Sequence, residues 1–214
     1  RSVSDLSQGV ETFSITEDKE LSHNSLVYIL GYFKRINDQW TVGLSHRFPS
    51  LGISGKASYT RSRIGTDGTV ETTNRDDMNA QTIIPNKTTL GIAYSQPNIY
   101  NISVDISFYD SLTYNDLDDL SLAERVEHVP VWNISLGWEY YYKSWLAFRT
   151  GIFTNNTSTP SIPGAPSRRY QDHIDMMGFS FNAGFFTSKN SSVSLGGYYT
   201  GGKGHAVEIA GQQF

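Results

Sequence analysis

The sequence predicts an all-β protein, a transmembrane antiparallel up-and-down β-barrel or a large part of one, with about eight long strands. Three observations predict it. The first is one-by-one alternation. Tyr100, Ile102, Val104, Ile106 and Phe108 alternate with Asn101, Ser103, Asp105, Ser107 and Tyr109, and Trp132, Ile134, Leu136, Trp138 and Tyr140 alternate with Asn133, Ser135, Gly137 and Glu139. Successive side chains of a strand point to opposite faces, so each run has one greasy and one polar face. The second is loop length. Tight connections at 36–39, 95–98, 142–144 and 188–191 alternate with long ones at 62–84, 113–129 and 155–172. Outer-membrane barrels have short turns on one side and long loops on the other. The third is hydropathy. Only 38% of the 214 residues are hydrophobic and mean hydropathy is -0.38, yet 13% are aromatic. Barrel strands expose every second residue to lipid and carry aromatic girdles, which reconciles the two. No apolar run approaches the ~20 residues of a membrane helix.

In chain order, 1–24 is polar and weakly patterned and predicts mostly loop, with a short extended piece at 10–15. The first strand is 25–35. Trp40, Val42 and Leu44 then set an even-numbered apolar face, which becomes odd at Leu51 and Ile53 after Phe48-Pro49-Ser50. A β-bulge adds one residue and tolerates proline, so 40–61 is expected to be one long strand with a bulge; a hairpin at Pro49 is the alternative. The stretch 62–84, rich in Gly, Thr, Asn and Asp, predicts a loop. Strands are expected at 87–95, 99–112, 131–142, 145–154, 173–186 and 192–200, a short helical turn within 115–125, and a proline-rich loop at 159–166. In lipid no sheet edge can stay unpaired, so the strands must close into a barrel. The tail 205–214 is short for a crossing strand and poorly patterned. The expectation is a single barrel domain over 1–214 that stops inside an extracellular loop; a closing strand ending at Phe214 is the alternative.

Other classes find little support. Cysteine is absent, so no thiolate metal site or disulfide exists. A net charge of -4 argues against a nucleic-acid partner. His23, His46, His128, His173 and His205 show no metal-site spacing, and no metal or other cofactor is expected. There is no G-x-S-x-G elbow, and Gly201-Gly202-Lys203-Gly204 lacks the spacing of a phosphate loop, so the chain reads as a non-enzyme. The candidate site is instead polar. Asp105, Glu139 and Arg149 lie on the polar faces of three consecutive strands. A basic residue facing lipid near the midplane would cost ~2–4 kcal/mol, so all three should face the lumen. They form either a network lining a ligand path or, the plainer reading, a structural ion pair.

Several segments together resemble the outer-membrane long-chain fatty-acid transporters, the FadL-type family. Leu136-Gly137-Trp138-Glu139-Tyr140-Tyr141-Tyr142-Lys143-Ser144-Trp145-Leu146-Ala147-Phe148-Arg149-Thr150-Gly151 reads as that family's "G-x-x-Y turn W-x-x-R-x-G" hairpin. Leu44-Ser45-His46-Arg47-Phe48 followed by Gly55, Ile84-Pro85 with Leu90-Gly91-Ile92-Ala93-Tyr94, and Val193-Ser194-Leu195-Gly196-Gly197-Tyr198-Tyr199 follow in family order. The resemblance covers later strands only. It implies an outer-membrane location, contact with outer-membrane lipid, and passive transport of long-chain fatty acids or other hydrophobic small molecules. It also implies that an N-terminal hatch, early strands and the final strand lie outside this chain. Interior Tyr109, Tyr141 and Tyr198 would suit such ligands; packing is their alternative role. Two other functions remain open on the residues alone: a structural or adhesive barrel with partner-binding loops, and a soluble carbohydrate-binding sandwich.

Overall fold

A computed structural model of the protein describes residues 14–65, 68–162, 172–188 and 190–205. They form thirteen strands: β1 Ser14–Leu26, β2 Ile29–Arg35, β3 Trp40–Arg47, β4 Leu51–Ile64, β5 Val70–Asn79, β6 Lys87–Gln96, β7 Tyr100–Tyr109, β8 Leu112–Asn115, β9 Arg125–His128, β10 Val131–Lys143, β11 Leu146–Asn155, β12 His173–Ser188 and β13 Ser191–His205. Eight of them, in the order β13-β12-β11-β10-β7-β6-β3-β2, make one antiparallel sheet. These are the eight strands that alternation predicts. Register places every tight turn at one end: Trp40 opposes Tyr94, Tyr140 opposes Tyr100, and Leu146 opposes Phe185. Arg47, Lys87 and Tyr109 lie together at the other end, where each long excursion starts. The meander explains this, since each hairpin returns the chain to the same edge.

The turns follow their residues. In Gln96-Pro97-Asn98-Ile99, Pro97 presets one dihedral, Asn98 takes φ 61°, and the Ile99 amide donates to the Gln96 carbonyl at 3.0 Å. A β-branched residue resists positive φ, so Asn98→Val is expected to cost about 1–2 kcal/mol. Asn98→Gly should be nearly neutral. Urea unfolding in detergent of the two variants measures the difference.

Direct cross-strand partners share a face. One face collects Trp40, Leu44, Leu90, Ile92, Ile102, Ile106, Ile134, Leu136, Ile152, Phe179 and Leu195. No described residue packs on it: Leu90, Trp132, Ile134, Ile152, Phe179 and Leu195 are each half exposed or more. Aromatic rings border it. At the turn end Trp40 meets Tyr94 at 4.9 Å, Tyr94 meets Tyr100 at 5.8 Å, and Trp145 meets Phe185 at 6.5 Å. At the loop end Phe108 meets Trp132 at 4.5 Å. From Trp132 to Tyr140 the strand runs ~27 Å, close to the ~25 Å apolar band of a membrane barrel. The opposite face carries Ser, Thr, Asn and Gly, among them Gly43, Gly91, Gly137, Gly151 and Gly184.

Three expectations change beyond the loop end. The stretch 14–24 is strand, not loop: β1 pairs with β4 throughout. The stretch 62–84 is mostly strand too, since β4 runs to Ile64 and β5 pairs back onto it. Together β1-β4-β5 make a second sheet. Both faces of β1, of β5 and of β4 beyond Tyr59 are largely exposed, so the apolar alternation of Leu51–Tyr59 stops there and the rest goes unmarked in the sequence. At Pro49 the chain keeps its direction. Ile29 opposes Arg47 and Leu26 opposes Leu51, leaving two residues of one strand against three of the other. That is the expected one-residue excess, and the exposed apolar set passes from Leu44 to Leu51 and Ile53. The strand is however split at 48–50, with β3 in the large sheet and β4 in the small one.

Within 115–125, the Leu122 and Ala123 amides both donate to the Asp119 carbonyl, giving one turn between β8 and β9. A small core forms there: Ala57, Ala80 and Leu117, with Met78, Leu122 and Ala123 against them. Lys19 pairs with Asp116 across it. Residues 163–166 of the proline-rich loop and the 206–214 tail lie outside the described residues.

Candidate functional site

The polar face brings one row of side chains together across five strands. Asn101, Glu139, Arg149, Asn182 and Gly196 are successive cross-strand partners on β7, β10, β11, β12 and β13. Glu139 is the hub. Its Oε1 accepts from Arg149 Nε at 2.7 Å, and its Oε2 accepts from Asn101 Nδ2 at 2.7 Å and from the Tyr141 hydroxyl at 2.9 Å. Arg149 Nη1 donates onward to Asn182 Oδ1 at 3.2 Å. A Cβ at Gly184 would stand 2.8 Å from that Nη1, so the missing side chain gives the guanidinium room to lie across β12. With donors on both carboxylate oxygens, Glu139 is held in one geometry.

Asp105 does not join this network. Its cross-strand partners are Gly91 and Ser135, and it lies four residues along β7 from Asn101, ~13 Å away. No described residue hydrogen-bonds to it or pairs with it. Its carboxylate leans over Gly91, where a Cβ would collide with it. Beside it is an open cavity of about 360 Å³ floored by Gly31, Gly43 and Gly91 and bounded by Phe33, Ser45, Thr89 and Asp105. Of the interior tyrosines, Tyr141 is committed to Glu139, Tyr109 lies under two cations, and Tyr198 is exposed.

Among the described residues no group of His, Cys, Asp and Glu could hold a metal ion. His23 lies inside β1, opposite Gly55. His173 opens β12 opposite His205, and its Nδ1 bonds the Thr159 carbonyl. At the loop end His128 Nδ1 meets Ser158 Oγ at 2.8 Å, and the Val129 amide donates to the Ser158 carbonyl at 2.7 Å. The loop is thereby latched onto β9. Burial holds the His128 pKa below the ordinary 6.5. Protonation thus favours the opened latch, and the latch is fully stable above pH 6.5 and weakens as pH falls below it. Hydrogen exchange at Val129, corrected for intrinsic rate, should show protection falling from pH 7.5 to 5.5. In His128→Gln that fall should disappear.

No protein-family model and no curated protein matches the chain. The chain is similar to solved structures, among them the following two. One is a TodX deltaS2S3 mutant, a monoaromatic hydrocarbon channel, at TM-score 0.55 and 16% identity, covering 88% of this chain and 61% of that one. The other is the Pseudomonas putida toluene transporter TodX, at TM-score 0.50 and 16% identity, covering 89% of this chain and 51% of that one. This chain therefore spans less than two thirds of either channel. At such identity the likeness establishes the fold: all-β and antiparallel, matching part of an outer-membrane β-barrel transporter. The large sheet itself is open, with β2 and β13 at its edges.

Proposed function

We propose that this chain forms part of the wall of an outer-membrane barrel that passes hydrophobic small molecules by passive diffusion. One observation carries the reading. The large sheet has an unpacked apolar face bordered by aromatic rings, and behind it a polar, glycine-rich face holding a cavity. An apolar surface this extensive needs a cover, and lipid supplies one without further protein. The polar face then becomes the lumen, and the Glu139–Arg149 network becomes structure inside the wall. The fold likeness to hydrocarbon channels supports the transport reading, and the FadL-type resemblance adds long-chain fatty acids to the solutes to be tested.

Entry of toluene and of a long-chain fatty acid into vesicles with a lipopolysaccharide outer leaflet, which bars direct partition of greasy solutes, tests it when the protein is present. Either solute should enter faster than into protein-free vesicles. Rates equal to those of protein-free vesicles, for both solutes, would overturn the reading.

A further inference from the structure

We propose that the lumenal face carries a binding station for small aromatic carboxylates bearing a hydroxyl group, anchored by Arg47 and Lys87. The proposal rests on the polar face being accessible from the lumen.

Arg47 and Lys87 are direct cross-strand partners at the loop end of β3 and β6. Like charges directly opposite each other are destabilising. Neither forms an ion pair with a described carboxylate. Both instead sit over the ring of Tyr109, the next partner in the row, with Lys87 Nζ 5.1 Å and the Arg47 guanidinium carbon 5.9 Å from its centroid. Arg47 spends Nη2 on the Pro85 carbonyl at 3.2 Å, while its Nε is buried with no partner. The adjacent carboxylate, Asp110, is turned to the Asn86 amide at 3.1 Å. Two cations, one with an orphaned donor, are the constellation a carboxylate would satisfy, since the guanidinium fork matches its two oxygens.

What lies beside the cations defines the rest of the ligand. Two residues further along the same strands come Ser45, Thr89 and Ser107; two more reach Gly43, Gly91 and Asp105. The open depression over this glycine floor thus starts at Ser45 and Thr89, two residues along the strands from the cation pair, with Phe33 beside it. Its far end is Asp105, which has no partner among the described residues and lies ~13 Å along the strand from the Arg47 level. A carboxylate there repels a second negative charge and accepts a hydrogen bond. A flat floor, a ring wall and a short reach suit an aromatic ring better than a long alkyl chain, which would have to pass Asp105.

Calorimetric titration of the detergent-solubilised protein with 4-hydroxycinnamate tests this without relying on transport. Saturable binding is expected. Lys87→Met, with unchanged strand content by circular dichroism, should weaken it at least tenfold. Asp105→Ala, which removes the acceptor, should abolish the preference for 4-hydroxycinnamate over cinnamate, and Asp105→Asn, which removes the charge, should admit a ring with carboxylates at both ends. Absent saturable binding, or binding unchanged in Lys87→Met, would overturn the proposal. So would a long-chain fatty acid competing more strongly than 4-hydroxycinnamate. If toluene still crosses vesicles while 4-hydroxycinnamate fails to bind, the station is refuted and the channel reading stands. If binding holds and vesicle entry fails, the reverse is true.

Discussion

Arg149→Leu is expected to destabilise the folded protein by about 2–3 kcal/mol, as read from urea unfolding in detergent. The substitution strips Glu139 of its charged partner while Asn101 and Tyr141 still hold the carboxylate in place. Breaking a fully buried pair costs ~3–5 kcal/mol. The value here is lower because the Arg149 side chain is 40% exposed, against 18% for Glu139. Adding Glu139→Gln removes the stranded charge and should recover at least half of the loss. Solute entry per folded molecule should stay close to the parent's. A variant as stable as the parent but unable to pass solute would make Arg149 a transport residue instead.

Leu117→Ala should cost about 2–4 kcal/mol, but locally. Leu117 is 1% exposed and packs with Ala57 and Ala80, and emptying such a site removes both transfer energy and packing. The same spot ties the small sheet to the β8–β9 excursion. The Gln81 amide donates to the Asp116 carbonyl at 2.8 Å, and the Asp118 amide to the Asn79 carbonyl at 3.2 Å. Exchange at these amides should accelerate about 30-fold or more, by the tenfold per 1.4 kcal/mol rule. Amides of β10 and β11 should keep their protection. Parallel loss in β10 and β11 would mean the two regions fold as one unit.

Alternation made the large sheet legible because its two faces meet different surroundings. The runs at Tyr100–Tyr109 and Val131–Lys143 alternate cleanly, and strands appear there. The same rule is silent for β1, β5 and the end of β4 beyond Tyr59, where both faces are largely exposed and Thr, Ser, Asn, Arg, Asp and Glu predominate. That is why 14–24 and 62–84 read as loop. Parity on neighbouring strands was enough to bring Glu139 beside Arg149. It could have named Asn101 and Asn182 too, but uncharged side chains of equal parity do not stand out. Asp105 shares that parity yet sits apart, because its level along β7 depends on register, which sequence leaves open. The cavity was invisible for another reason: its floor is glycine, and a missing side chain leaves no pattern.

The central claim is that the face bearing Ile134 meets hydrocarbon and the face bearing Ser135 meets water. The chain has no cysteine, so a single one can be placed at either neighbouring position of β10 and labelled with a fluorophore in vesicles. The label at 134 should be quenched by brominated acyl chains and spared by aqueous iodide; the label at 135 should show the reverse. Iodide quenching of both, with no effect of brominated lipid on either, would contradict the account.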